Sequence, residues 1–334
     1  GGGGAARRRG HGGGRARRTV IDLYPGRVSA AAGSAGATRG PNRERETRRE
    51  MVTVRPYRAN DEKCSHSVPE APGNIGGAAP NMARVHDWLL GGKDNYPADR
   101  AAGERLLARC PGARAAAKAD RLFLRWAVRH LADAHGIRQF LDVGSGLPTQ
   151  GHVHEVARQV APETRTVYVD NDPEVVARAE AMLAVDPRTI VVRADVREPV
   201  RLIDEVMASG HLNFTRPIAL LLVAVLHLVR DEEGPAEAVA TLVAELAPGS
   251  MLVISHPLRD GRGGTARETG AGAVARTEPE IAALFAGTRL VEPGLRPVGE
   301  WLLGTGAIAG VGADDPDRPA LLSVPVLCGI GRKG

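Results

Sequence analysis

From residue 137 onward, short apolar runs alternate with longer stretches in which apolar positions recur every three to four residues. The runs are "RQFLDV" (138–143), "TVYVD" (166–170), "TIVVRA" (189–194), "PIALLLVAV" (217–225) and "SMLVIS" (250–255). Near-continuous apolar runs bounded by turn residues read as strands buried on both faces, and the amphipathic stretches between them as covering helices. The alternation predicts an α/β fold with a Rossmann-like, mostly parallel sheet of about seven strands. The last strands are weaker runs near 289–299 and 322–330, reached through a Gly-rich loop (259–272) and a helix at "TEPEIAALFAG".

Three helices are expected before the first strand. Asn81 is placed to cap one that carries Met82, Val85 and Leu89 and stops at Gly91-Gly92. Pro97 opens a second over 97–109, and a third over 113–135 carries Ala119, Leu122, Phe123, Trp126, Val128 and Leu131 before Gly136 closes it. Together, 81–135 are expected to form a helical cap over the sheet edge. Residues 1–79 are rich in Gly, Arg, Pro and Ser without sustained apolar periodicity, so an unstructured tail is expected there and one domain over 80–334. The chain opens on Gly, which makes Met51 the expected start, and 1–79 hold no apolar stretch of a secretory leader.

Charge changes the picture only at the N-terminus. The net charge is +5, but residues 1–50 hold 12 Arg against 4 acidic residues, which leaves the rest at −3. Only four of the 44 basic residues are lysine, a skew that suits GC-rich coding better than selection for phosphate contacts, so nucleic acid is not the expected partner. No apolar run reaches the roughly 18 residues of a membrane span. Cys64, Cys110 and Cys328 are widely spaced, which disfavours a disulfide framework or a zinc site and makes a cytoplasmic location the expectation.

In an open parallel sheet, ligands bind beyond the carboxyl ends of the strands. Three of those ends are aspartates: Asp142 precedes Gly144-Ser145-Gly146, Asp170 ends "VYVD" and Asp195 ends "VVRAD". One such acid is ordinarily a helix cap. Three at the ends of successive strands ask for a ligand rich in donors and positive charge, and S-adenosylmethionine offers an ammonium, a sulfonium, a ribose diol and an adenine amine. Glycines 144 and 146 allow close backbone approach, Asp142 is placed to favour the ammonium, Asp170 to accept both ribose hydroxyls and Asp195 to accept the adenine amine. Asn171 and Val196, directly after two of these acids, are placed with them. Asn in place of Asp170 is expected to be a milder loss than Ala. A pyrophosphate would instead need free N–H groups and a third glycine, where this chain has Leu147-Pro148-Thr149. Pro148 lacks an N–H and is expected as a first helical residue.

The segments "PNMARVHDWLLGGKDNYPADRAAGE" (80–104), "FLDVGSGLPTQGHVHEVA" (140–157), "VYVDNDP" (167–173), "LLLVAVLH" (220–227) and "GIGRK" (329–333) resemble the S-adenosyl methyltransferase family of actinomycete-type bacteria, formerly a domain of unknown function. The resemblance implies a class I methyltransferase fold with S-adenosylmethionine as cofactor, and brings no settled acceptor. His152 stands where the family is expected to carry Asn, and 300–319 match poorly.

His227 follows the fourth strand where methyltransferases hold the reacting group, and is the candidate general base, expected to titrate near 6 to 7. It could equally orient a loop. His256 is a second candidate, against a plain strand exit. His152 and His154 form an HxH pair, but two positions apart on a helix they would face different ways, so no metal is expected. In "GGKDNY" (91–96), Lys93 and Tyr96 follow a glycine hinge suited to a lid over the cofactor, against a plain helix–helix turn. The fourth strand ends in neither an Asn-Pro-Pro-Tyr type box nor a Pro-Cys pair, and at 3% aromatic content stacking platforms for flipped bases are few. The expected acceptor is a small molecule offering O or N. A non-catalytic cofactor-binding or regulatory protein and, less favoured, a nicotinamide dehydrogenase are the alternatives.

Overall fold

The apolar runs build the centre of the molecule. The computed structural model describes Gly1 and residues 79–148, 151–183, 186–259, 268–269 and 273–334. The expected tail over 1–79 therefore lies outside the described residues except for Gly1 and Ala79. Strands β1 (Gln139–Val143), β2 (Arg165–Asp170), β3 (Thr189–Arg193), β4 (Ala219–Val223) and β5 (Met251–Pro257) run parallel in the order β3-β2-β1-β4-β5. After β5 come a two-residue hairpin, β6 (Glu268–Thr269) with β7 (Ala273–Val274), then β8 (Thr288–Leu290), β9 (Arg296–Pro297) and β10 (Val326–Lys333). β10 inserts antiparallel between β5 and β8. β4 is shorter than its apolar run because Ala224, at φ 55°, turns the chain out of the sheet.

Alternate residues of each strand face two separate cores, as the pleat requires. Phe140, Ala219, Leu221, Met251 and Val253 point to one side; Leu141, Leu220, Leu222, Leu252 and Ile254 point to the other. Helices α1 (Met82–Leu89), α2 (Pro97–Arg109) and α3 (Ala113–Ala134) precede the sheet, while α4 (Val153–Arg158), α5 (Pro173–Leu183), α6 (Pro199–Ala208) and α7 (Pro235–Ala244) fill the crossovers. The first core receives α3 through Phe123, Leu124, Ala127, Val128 and Leu131; the second receives α6 and α7 through Leu202, Val206, Val239 and Leu242.

The three N-terminal helices pack differently from one another. A 22-residue amphipathic helix has enough apolar face to cover a sheet, and α3 does so. Only α1 and α2 stand off it, in a small cluster of Val85 and Leu89 against Ala117 of α3. They meet the N-terminal part of α5, at the carboxyl end of β2, rather than a sheet edge.

The C-terminal third also departs from expectation. α8 (Glu278–Ala283) matches the predicted helix, but residues 298–323 fold as α9 (Val298–Gly304), a 3₁₀ turn (Ala307–Gly310) and α10 (Arg318–Ser323). Their anchor is Trp301, 1% exposed, whose ring packs edge-on against Phe123 (5.4 Å) and whose Nε1 donates to the Cys328 carbonyl at 3.0 Å. The predicted strand at 322–330 begins only at Val326. The predicted loop 259–272 lies largely outside the described residues, and its described part, Glu268–Thr269, is a strand.

Candidate active site

After β1 the chain turns through Gly144 (φ 72°) and Gly146 (φ 63°), left-handed conformations that favour glycine. A Cβ on Gly144 would also stand 2.2 Å from Val225 Cγ2, whereas one on Gly146 would meet nothing within 4 Å. The amides of this turn fold back onto β2: Gly144 N (2.8 Å) and Ser145 N (3.1 Å) donate to the Val169 carbonyl, and Gly146 N donates to Asp170 Oδ2 at 2.9 Å. A phosphate-binding turn keeps such N–H groups free for its anion. Here three in succession are spent on the neighbouring strand. Pro148 is not the first helical residue, as α4 begins at Val153; His152 is its cap, with Glu155 accepting from the His152 amide.

Asp170 is 8% exposed, and burial raises its carboxyl above the usual range despite backbone donors. Its Oδ1 accepts from Asp172 N (3.0 Å) and its Oδ2 from Gly146 N, with the Asn171 amide a third backbone donor, which still leaves the carboxylate acceptor capacity. Asp172 Oδ1 caps α5 by accepting from Glu174 N and Val175 N. Asn171 Nδ2 donates to Asp195 Oδ2 at 2.9 Å. Asp195 stands at the expected strand end but is heavily engaged, because Arg197 donates to it from its amide, Nε and Nη2. Burial alone would raise its carboxyl, yet Arg197 and Asn171 together hold it below the usual range. Val196 beside it is buried.

Asp142 is buried without a strong partner. Burial pushes its carboxyl up to about 7, aided by Asp170 and opposed by the Arg121 guanidinium. Arg121 and Asp120, on α3, come to this place unforeseen from the sequence. Asp120 is also lifted to about 7 by burial, against Ser255 and Arg121. The available signal was an acid on the apolar face of an amphipathic helix, three residues before Phe123 and four before Leu124. His86 of α1 joins them, held down to about 3 by burial, Arg121 and His227.

His227 sits in a 3₁₀ turn (Leu226–Leu228) directly after the strained Ala224. Burial and the Arg276 cation hold its imidazole down to about 4, not at the 6 to 7 expected from the sequence. Arg276 clamps this turn: its guanidinium donates to the carbonyls of Leu226 (2.9 Å) and Val229 (2.7 Å) and to Asp231. The His256 ring is held at both nitrogens. Its Nδ1 faces the Pro257 carbonyl at 2.9 Å and so carries the proton, leaving Nε2 to accept from Arg276 at 2.6 Å.

The HxH pair differs from expectation because His152 precedes the helix: its ring stacks on His154 at 5.3 Å, and His154 Nδ1 lies 2.9 Å from Tyr168 Oη. Among the described residues no group of three or more His, Cys, Asp or Glu is placed to hold a metal ion. The "GGKDNY" segment is more than a plain turn. Asp87 accepts from Asp94 N and Asn95 Nδ2, and Arg178 of α5 reaches Asp94 (3.0 Å) and the Tyr96 hydroxyl (3.1 Å). Lys93 stays exposed. An open depression of about 660 Å³ lies at the opposite ends of the strands, between His135, Arg138, Arg165 and His211, and holds none of these residues.

Ser145 Oγ, Asp120 Oδ1, His86 Nε2 and His227 Nδ1 are buried without a hydrogen-bond partner among the described residues. Each such group costs about 1–3 kcal/mol unless a ligand satisfies it. Two buried carboxyls at strand ends, a turn whose Gly144, Ser145 and Gly146 amides are spent on β2 and a reversed last strand define a class I S-adenosylmethionine-dependent methyltransferase. The family model described as S-adenosyl methyltransferase matches residues 69–334, and the chain belongs to that family. A candidate methyltransferase from Thermobifida fusca YX is 39% identical, with 76% of this chain and 95% of that one covered and a TM-score of 0.66. A DUF574 family protein from Streptomyces avermitilis is 36% identical, over 78% of this chain and 100% of that one, with a TM-score of 0.68. No curated protein matches the chain. Among the described residues, no helix is long and apolar enough to cross a membrane.

Proposed function

We propose that this methyltransferase acts on an O or N nucleophile of a small-molecule acceptor, with the cofactor lying across the ends of β1, β2 and β3. The observation that carries the placement is the glycine turn, whose amides are spent on β2 while the carboxyls of Asp142 and Asp170 keep acceptor capacity. In this reading Asp142 takes the methionine ammonium, Gly144, Ser145 and Gly146 let the ligand approach the backbone, and Asp170 takes the ribose hydroxyls. Asn171, Asp195 and Val196 border the adenine, and Asp195 serves its amine only when Arg197 turns aside. Lys93 and Tyr96 belong to the strap that α5 holds beside this region.

The bound cofactor supplies an already activated methyl group, so the chain contributes alignment, exclusion of water and removal of a proton. His227 Nδ1, buried and without a partner, is the proposed proton acceptor. Its depressed basicity places its contribution at the low end of general-base effects, about 10²-fold, and keeps it neutral throughout the physiological range. Screening metabolite extracts for release of S-adenosylhomocysteine tests the reading. His227→Ala is expected to lower turnover about 10²-fold with cofactor affinity intact, and wild type should show no rate limb between pH 6 and 8 from this residue. A variant matching wild type in rate would remove His227 from the chemistry.

A further inference from the structure

One buried carboxyl has no part in the roles above. Asp120, on α3, is 9% exposed, and its Oδ1 has no hydrogen-bond partner among the described residues. The packing fixes where it points. Phe123 and Leu124, one turn further along α3, share a core with Val253 of β5 and Cys328 of β10. Ser255, two residues after Val253 and paired across the sheet with Cys328, therefore faces α3 as well. Its Oγ accepts from Ala224 N at 3.0 Å, and its one hydrogen is left to donate to Asp120. Asp120 is thereby tied to the turn that carries His227. That turn also abuts the glycine turn, since Val225 Cγ2 lies 2.2 Å from where a Cβ on Gly144 would stand. Asp120 Oδ1 and His227 Nδ1 are thus brought to the end of β4 and β5 beside the glycine turn, both buried and both without a partner among the described residues.

Two such acceptors ask for two hydrogens on the reacting atom. A hydroxyl or a phenol brings one; an amine brings more. We propose that the methyl acceptor is an amine, held by Asp120 Oδ1 while His227 Nδ1 faces another of its hydrogens. The inference rests on the reading above and narrows its O or N nucleophile to nitrogen. The amine arrives as an ammonium and gives one proton to the Asp120 carboxylate, whose basicity burial has raised. The freed nitrogen pair forms the N–CH₃ bond, the pair of the S–CH₃ bond returns to sulfur, and a second proton passes to His227 Nδ1.

NMR titration of the full chain saturated with S-adenosylhomocysteine tests this with simple probes: n-butylamine, benzylamine and piperidine, each against n-butanol, benzyl alcohol and cyclohexanol in turn. Wild type is expected to prefer at least one amine over its alcohol by roughly 10- to 100-fold, the scale of a charge-assisted hydrogen bond. In Asp120→Asn that preference should vanish with S-adenosylhomocysteine affinity unchanged, and Ser255→Ala, which keeps the carboxylate but frees it from the turn, should lose part of it. No preference in wild type, or one that survives in Asp120→Asn, overturns the proposal. An Asp120→Asn protein that also loses S-adenosylhomocysteine overturns it too, as a structural role would act that way. Where a metabolite extract gives turnover with methyl-labelled S-adenosylmethionine, the label should be found on nitrogen; a label on oxygen overturns the inference and leaves the methyltransferase reading standing. If wild type does not bind S-adenosylhomocysteine, the cofactor placement itself fails.

Discussion

A carboxylate serves a cationic ligand only while it is ionised, and burial sets Asp142 at the margin, near 7. Below that pH the free protein holds a proton that the incoming ammonium must displace; above it there is none to lose. Affinity for S-adenosylhomocysteine should therefore be full above about pH 7.5 and fall on acidification, approaching roughly tenfold per unit below 7. Titration calorimetry between pH 8 and 6 checks this, and constant affinity would place the ammonium elsewhere. At this scale the sequence was legible where chemistry sits beside a turn. The strand-end positions of Asp142 and Asp170 and the turn at the two glycines could be read because strand ends are punctuated. Arg121, Asp120 and the clamp of Arg276 could not, because they reach the same space from α3 and from after β5. The pKa of His227 was equally hidden, since it depends on burial and on a cation 49 residues downstream.

The elements α1 and α2 are held to α5 by a charged latch rather than by a large apolar face. Arg84, 3% exposed, joins the fully buried Asp99 at 2.8 Å and also reaches Glu174, while Asn81 donates to Asp172. Asp99 in turn accepts the amides of Asn81 and Tyr96, both at 2.8 Å. Removing the cation strands a buried carboxylate, so Arg84→Met should cost about 3–5 kcal/mol in urea unfolding. A loss below about 1 kcal/mol would mean the latch is solvated. The helices themselves were legible from Asn81, Pro97 and their apolar spacing. Where they dock was not, because a latch of single charged side chains leaves no periodic trace. The strands β1 to β5 were read to within two residues at each end, while α9 and α10 were missed because 300–319 carry mixed glycine and apolar positions without a clear period.

For the molecule as a whole, the fold class followed from the alternation of strands and helices, and the inserted antiparallel β10 refines it. Arg84 Nη2 donates to the Ala79 carbonyl at 2.9 Å, so a chain starting at Ala79 retains every contact named above. It should melt and bind S-adenosylhomocysteine as the full chain does, and a clear loss of either would assign 1–78 a part in the domain. The central claim, a cofactor lying across the ends of β1, β2 and β3, is tested most directly at Asp170. Calorimetry should show Asp170→Ala weakening S-adenosylhomocysteine by roughly 2–4 kcal/mol, the scale of charge-assisted hydrogen bonds in a closed site. Asp170→Asn should be no milder, against the sequence-based expectation, because its NH₂ would face the Gly146 or the Asp172 amide. Unchanged affinity in the Ala variant would contradict the account.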